Sequence, residues 1–365
     1  MSDPRPVGVL MLQLGTPDST DVSDVRRYLR EFLGDPRVLD IPAPARTLLL
    51  NAVILPFRPR RSAEAYEKIW TAEGSPLVLH TEELAARVGE LLGPAFRVAY
   101  GMRYRNPSIA AAVEELTEAG CDRIVVLPMF PQYASASGGS AVEKALEVLG
   151  GRWNLPDVTT IGAYYDHPGF VGAAAGVARP LLDDFRPDHI LFSYHGLPEK
   201  QVRKSDTSGN WCLASGSCCD RIVDANRYCY RAQAFATTRA LVAELGLEPG
   251  SYSTTFQSRL AGQKWIEPYT DKEIPTLFDR GVRRLAVLTP SFVADCLETL
   301  EEIGIRLRAQ WEGLGGTGFL LVPCVNADPR WAQAVAGMVL AVAHPHQAEA
   351  ADPPVAPPAG ADPSS

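Results

Sequence analysis

A histidine closes an apolar run at Ile190-Leu191-Phe192-Ser193-Tyr194-His195-Gly196-Leu197-Pro198, and three carboxylates follow roughly a hundred residues later at Asp295, Glu298 and Glu302. A neutral imidazole keeps one ring nitrogen as a base or ligand, so facing acids it can move protons beside a divalent cation. The acids stand at i, i+3 and i+7, which is one face of an α-helix. A solvated helix face shows the same pattern. Here, however, the helix opens just after the apolar strand Leu285–Leu288 and Pro290, so its first turn points at the cleft beyond the strand. Leu297, Leu300 and Ile303 fall on the complementary face. Gly196 and Pro198 force a turn immediately after His195 and hold its ring at a rim rather than inside a core. One imidazole with carboxylates makes a poor closed zinc site, which takes four protein ligands. It suits an open site that accepts a metal such as Fe2+ and gives it up again.

Cys212, Cys218, Cys219 and Cys229 fall inside a Gly/Ser-rich insertion, Ser205–Tyr230, directly after the His195 turn. Four thiolates are what a [2Fe–2S] cluster or a structural zinc requires. With two cysteines adjacent, the spacing matches neither paired zinc motifs nor the plant-type ferredoxin run, and chance clustering in a loop is the plain alternative. Cys121, Cys296 and Cys324 read as core or strand-end residues.

The elements that must position these groups are short apolar runs alternating with helical patterns. Val7–Leu14, Phe96–Arg103, Arg123–Met129, Thr159–Tyr165, Asp188–Tyr194, Ser251–Gln257, Arg284–Thr289 and Phe319–Val325 read as buried strands. Thr81–Leu92, Ser108–Ala119, Arg231–Leu245 and Pro329–Ala343 carry apolar residues at i, i+3 and i+4. Near-continuous apolar strands separated by helices imply parallel sheets covered on both faces. The chain also repeats itself: Leu116-x-x-x-Gly120-x-x-Arg123-Ile124-x-Val126-Leu127 matches Leu277-x-x-x-Gly281-x-x-Arg284-Leu285-x-Val287-Leu288. The expected fold is therefore α/β, with two similar doubly wound, Rossmann-like domains, each a four-stranded parallel sheet flanked by helices. The expected divisions are 1–170, then 171–345 with the Cys-rich insertion 205–230, then a disordered Ala/Pro/Asp-rich tail, 346–365. In such folds ligands bind beyond the carboxyl ends of the strands. His195, Arg103, Tyr133, Ser258 and the acidic helix all lie at or just past such ends.

Composition bounds the reading. With 365 residues, 46% hydrophobic and 21% charged, the chain is an ordinary globular protein long enough for two cores. A net charge of −8 argues against nucleic acid as a partner. No leader pattern precedes the first strand-like run and no apolar stretch is long enough to span a bilayer, so a cytoplasmic protein with reduced thiols is expected.

These residues carry a family resemblance over nearly the whole chain. It resembles the ferrochelatases, which insert ferrous iron into a porphyrin to make haem. The matching stretches are Leu12-Gln13-Leu14-Gly15-Thr16-Pro17, Gly74-Ser75-Pro76-Leu77, Tyr100-Gly101-Met102-Arg103-Tyr104, Leu127-Pro128-Met129-Phe130-Pro131-Gln132-Tyr133, the His195 segment, and Phe292-Val293-Ala294-Asp295-Cys296-Leu297-Glu298-Thr299-Leu300. The resemblance implies that His195 and Glu298 flank the substrate metal, with Asp295 and Glu302 extending the acidic row. It places Leu14, Phe130, Tyr133 and Trp265 among the porphyrin walls, and Arg60, Arg61, Ser75, Arg103 and Tyr104 are suitable donors for propionates near the mouth. Leu14 stands where the branch using a four-propionate porphyrin usually has tyrosine, which favours protoporphyrin. The segment Thr47–Phe57, followed by Arg58, Arg60 and Arg61, forms either an apolar lip touching a membrane surface or one buried helix.

Some ferrochelatases hold a [2Fe–2S] cluster, which ranks iron–sulfur above zinc for the four thiols. In the animal pattern the ligands come mainly from a C-terminal extension plus one mid-chain cysteine. Here no cysteine follows Cys324 and Ser135 stands at the mid-chain position, so a cluster would be held by the insertion alone. Without the dimer-supporting extension of the animal branch, the oligomeric state stays open. The alternatives are a coproporphyrin ferrochelatase, a cobalt chelatase of the same superfamily, and a non-catalytic iron–sulfur sensor that binds haem through His195.

Overall fold

The computed structural model describes residues 5–259 and 262–343; the expected tail 346–365 lies outside them. Two four-stranded parallel sheets form, ordered β2-β1-β3-β4 and β6-β5-β7-β8, as the alternation of apolar runs and helices requires. In the first, β1 (Val7–Gly15) lies between β2 (Phe96–Tyr104) and β3 (Arg123–Pro128), with β4 (Asp157–Thr160) outside β3. In the second, β5 (His189–His195) lies between β6 (Tyr252–Gln257) and β7 (Arg284–Leu288), with β8 (Gly318–Leu321) outside β7. Both sheets thus have the same strand order. The central strands are buried on both faces, from Val9 to Leu12 and from Leu285 to Leu288.

The repeated sequence module is a repeated structural one. Helix precedes glycine, and glycine precedes the third strand of each sheet. Gly120 and Gly281 take φ of 80° and 92°, the left-handed conformation that ends a helix without a Cβ penalty. Two outer strands are shorter than expected. β8 stops at Leu321 ahead of Pro323, which has no N–H to give a ladder, and β4 stops at Thr160 ahead of Gly162.

Helices α1 (Val22–Gly34), α2 (Ala43–Leu49) and α3 (Leu55–Glu67) follow β1, with a π-helical turn at Leu50–Ile54 joining the last two. α4 (Pro76–Leu92), α5 (Ile109–Glu118) and α6 (Ser140–Gly150) pack on the first sheet. α7 (Pro168–Phe185) leads to the second half, which contains α8 (Glu199–Lys204), α9 (Tyr230–Leu245), α10 (Thr270–Asp279), α11 (Arg308–Leu314) and α12 (Pro329–Ala343). The expected boundary at 170/171 falls inside α7, and α12 returns to pack on both α7 and α4. One continuous core therefore runs from Val9 and Met11 through Phe170 and Trp331 to Phe192 and Ala286. No helix among the described residues is long and apolar enough to cross a membrane.

Candidate active site

A cavity of about 1190 Å³ opens where the carboxyl ends of β1, β5, β6 and β7 converge. Small-molecule pockets usually hold about 300–1,000 Å³, so this one is shaped for a large ligand. The turn after β1 is fixed by Gly15, whose φ is 112° and where a Cβ would lie 2.0 Å from the Tyr104 carbonyl oxygen. No other residue fits there.

His195 ends β5 and lines the cavity. Its backbone N–H donates to Ser291 Oγ at 3.1 Å, which ties the end of β5 to the loop after β7. Its Nδ1 lies 2.6 Å from the Gly196 carbonyl oxygen. A carbonyl only accepts, so Nδ1 carries a proton, and in the neutral ring the lone pair lies on Nε2. Trp265 and Phe292 flank the ring, with centroids 6.5 and 6.3 Å away.

Glu298 and Glu302 sit on a π-helix, Glu298–Leu307, where the spacing predicts an α-helix; Asp295 precedes it. A π-helix closes its bonds at i+5, so the i, i+3, i+7 rule for one face does not hold. Glu298 and Glu302 line the cavity together with His195. Burial pushes the Glu302 carboxyl above its ordinary value, outweighing the Ser258 hydroxyl and the electrostatic pull of His195 and Arg306. Asp295 is a correction: it does not line the cavity. Its carboxylate accepts from Thr299 Oγ1 at 2.9 Å, Asn326 Nδ2 at 2.8 Å and the Cys324 N–H at 3.4 Å. It anchors the start of the π-helix instead. Glu301 joins the lining unforeseen, buried between Lys68 at 3.3 Å and Arg306 at 2.7 Å.

Of the expected walls, Leu14, Phe130 and Trp265 line the cavity. Trp265 is buried with an indole N–H that has no partner among the described residues. Tyr133 does not line it; its ring packs on Tyr228 with centroids 5.5 Å apart. Of the expected carboxylate partners, Arg61 and Ser75 line the cavity, the latter donating to Thr16 Oγ1 at 3.1 Å. Arg60 points out from α3, 86% exposed, beside Glu64 at 3.7 Å. Arg103 and Tyr104 are likewise diverted, because Asp35 claims both, at 2.8 and 2.9 Å, and Arg103 Nε also binds Ser140 Oγ at 2.7 Å. Arg58, one helical turn before Arg61, lines the cavity in their place. Burial lowers its pKa, against the pull of Tyr28, Tyr66 and Glu298. Neither Arg58 nor Arg61 has a hydrogen-bond or ion-pair partner among the described residues. Leu48, Val53 and Phe57 stand 68%, 54% and 76% exposed on the segment leading to them.

The four cysteines of the insertion are all buried. Cys218 and Cys219 Sγ lie 3.7 Å apart, and Cys229 contacts both Cys212 and Cys219. Burial pushes the Cys212 thiol up to about 11. The thiols pair with one another; among the described residues no set of three or more His, Cys, Asp or Glu side chains stands ready to hold a metal ion.

Fold and site together define a doubled α/β protein built around one slot between its halves, with an imidazole and two carboxylates facing apolar walls. A family model described as Ferrochelatase matches residues 6–342. A ferrochelatase of Coxiella burnetii is 46% identical over 332 residues, covering 91% of this chain and 92% of its own length. One of Legionella pneumophila is 46% identical over 333 residues, covering 91% and 98%. The chain belongs to the ferrochelatase family. A solved structure, SirB from Bacillus subtilis with Fe3+, overlays with a TM-score of 0.49 at 11% identity, covering 95% of this chain and 98% of that one, too loose a likeness to bear on function.

Proposed function

We propose that this chain inserts Fe2+ into protoporphyrin IX, releasing two protons and yielding protohaem. The observation that carries the reading is the convergence of His195, Glu298 and Glu302 on one cavity walled by Leu14, Phe130 and Trp265. Replacing two pyrrole N–H bonds by bonds to Fe2+ frees two protons, and the site offers two acceptors. His195 Nε2, the lone-pair nitrogen of the neutral tautomer that the Nδ1–Gly196 contact selects, takes one, and Glu298 takes the other. Glu302, whose carboxyl holds a proton more tightly than usual, passes them on toward solvent. Packing against the apolar wall of Leu14, Phe130 and Trp265 favours a distorted ring whose nitrogen lone pairs point at the entering metal.

Charge pairing supports the two-carboxylate porphyrin over its four-carboxylate relative. Five cationic side chains line the cavity: Arg58, Arg61, Lys68, Arg259 and Arg306. Glu301 holds Lys68 and Arg306, and Asp271 holds Arg259. Arg58 and Arg61 are left, one guanidinium for each of two propionates. A metal-insertion assay comparing the two porphyrins tests this directly. Faster turnover of protoporphyrin is expected, and faster turnover of the four-propionate porphyrin would reverse the assignment.

The exposed Leu48, Val53 and Phe57, next to Arg58, Arg60 and Arg61, support peripheral contact with an anionic membrane surface, from which an apolar porphyrin enters the slot.

The thiol set supports a [2Fe–2S] cluster held by Cys212, Cys218, Cys219 and Cys229. What supports it is donor number alone: four buried thiols are what such a cluster requires, while as placed no three of them gather as a metal-binding set. When bound, such a group supplies a one-electron redox centre. Visible absorption with iron and sulfide analysis of the isolated protein checks it; a colourless protein holding one tight zinc would overturn it.

A further inference from the structure

α3 lies along the slot. Arg58, Arg61, Ala65 and Lys68 recur at spacings of three and four residues, along one face of the helix up to its C-cap, and all four line the cavity. A helix rises about 1.5 Å per residue, so Lys68 stands about 10 Å beyond Arg61, on the scale of one tetrapyrrole macrocycle. The two ends of this face differ because of Glu301. Its buried carboxylate, on the π-helix of the other half, takes Lys68 at 3.3 Å and Arg306 at 2.7 Å. Arg306 has a second, longer contact with Glu302 at 3.8 Å. Glu64 and Asp271 also line the cavity, but each holds one guanidinium and is far more exposed. The slot therefore offers free cations at Arg58 and Arg61, and a buried anion beside Lys68.

We propose that Glu301 is a specificity-determining residue, which excludes carboxylates from the porphyrin edge opposite the one held by Arg58 and Arg61. The proposal rests on the charge-pairing reading given above and names the side chain that enforces it. The four-propionate porphyrin carries carboxylates at the edge where protoporphyrin carries vinyl groups. With its two propionates on Arg58 and Arg61, protoporphyrin lays vinyl groups toward Glu301, and these need no partner. The four-propionate ring sets further carboxylates against a buried carboxylate, where water screens the repulsion poorly. Glu301 also occupies the two cations that could have answered them. Exclusion thus combines a repulsion with a withheld partner.

The test is kcat/KM for iron insertion by the full chain into each porphyrin, read as the ratio of the four-propionate to the two-propionate substrate. Glu301→Gln keeps the shape of the side chain and removes its charge, which frees Lys68 and leaves Arg306 its contact with Glu302. The ratio should rise about tenfold or more, the worth of one hydrogen bond between charged groups. Any change in turnover that a shifted Arg306 imposes on both porphyrins cancels in the ratio. Asp271→Asn, which removes an exposed charge from the same lining, should move the ratio much less. Should Glu301→Gln fail to fold, Lys68→Met takes its place: Glu301, with one of its cations gone, repels the extra carboxylates more strongly, and the ratio should fall. A ratio that falls supports the role, and one that holds or rises overturns it. Wild-type preference for protoporphyrin with an unmoved ratio in Glu301→Gln overturns the role of Glu301 alone, as does an equal rise in Asp271→Asn. Wild-type preference for the four-propionate porphyrin, or turnover of neither, overturns the reading of the substrate and the role of Glu301 with it.

Discussion

Ser258 holds Glu302 with two donors at once: its backbone N–H, 2.9 Å from Oε1, and its hydroxyl on Oε2. It does so with φ at 63°, a left-handed conformation that costs a non-glycine residue about 1–3 kcal/mol. The strained residue directly follows β6, so the strand's end aims both donors at a carboxylate in the cavity wall. Those donors favour the ionised form, yet burial wins and the Glu302 carboxyl sits above its ordinary value.

That shift has a sign in stability. A carboxyl whose folded pKa lies above its unfolded one binds more protons in the native state, so stability is lost as pH rises through the window between the two values. Glu302→Gln removes this loss. Urea denaturation at about pH 5 and pH 8 should show the variant gaining on the wild type at the higher pH. A stability difference independent of pH would mean that Glu302 is not held protonated in the fold.

His195→Ala should lower kcat for iron insertion by about 10²–10⁴-fold, the usual contribution of a positioned base, while the porphyrin KM changes little. Steady-state kinetics with Fe2+ and protoporphyrin check it. Full turnover in the variant would remove the imidazole from the mechanism.

Arg58 and Arg60 lie two residues apart on α3, but Arg58 lines the slot whereas Arg60 is turned to solvent beside Glu64. Arg58→Ala should raise the porphyrin KM about 10- to 100-fold, the loss of a hydrogen bond between charged groups worth about 1.5–3 kcal/mol. Arg60→Ala should leave the KM unchanged, because an exposed i, i+4 ion pair binds nothing in the slot. The opposite ordering would restore Arg60 as the propionate partner.

This pair shows where the sequence was legible and where it was not. The sheets, their repeat and the place of His195 follow from apolar runs and from Gly196 and Pro198, which act locally on the chain. Leu14, Phe130 and Trp265 reach the slot because their strands and turns end there. What failed depended on rotation about a helix axis or on a competing partner. Arg60 and Arg58 are both arginines on one helix, and nothing in a run of Arg and Pro residues says which faces inward. Arg103 and Tyr104 end β2 near the slot but are taken by Asp35, which lies 68 and 69 residues away along the chain. Asp295 left the acidic row because it stands before the helix, which begins only at Glu298, and its carboxylate is taken by Thr299 and Asn326.

Asp35 gives that network a measurable weight. Burial alone would raise its carboxyl, but hydrogen bonds from Ser140, the Arg37 backbone and Tyr104, with Arg103 close by, hold it below the usual carboxylate range. A depressed carboxyl adds stability above its unfolded pKa, and that stability is lost as pH falls through the folded one. Asp35→Asn strands Arg103, whose side chain is only 20% exposed, so it should cost about 3 kcal/mol at neutral pH and less in acid. The porphyrin KM of folded variant should stay near wild type. A large KM rise without a stability loss would return Arg103 to the binding site.

The lip offers the last test, because exposure of this kind is costly unless something covers it. Leu48, Val53 and Phe57 stand 68%, 54% and 76% exposed, and Val53 and Phe57 also line the slot. A surface that is apolar at the mouth and flanked by Arg58, Arg60 and Arg61 matches an anionic bilayer, with the acyl region taking the side chains and the headgroups the guanidiniums. Fully burying one such side chain is worth about 1.5–3 kcal/mol, so Phe57→Ser should weaken sedimentation with anionic vesicles by about tenfold or more. Raising salt should weaken the wild type further, since about 1 kcal/mol per basic residue near the surface is electrostatic and screened. Turnover on detergent-dispersed porphyrin should change less than turnover on vesicle-borne porphyrin, separating delivery from chemistry. Wild-type protein that ignores anionic vesicles at low salt would leave the lip without a membrane role.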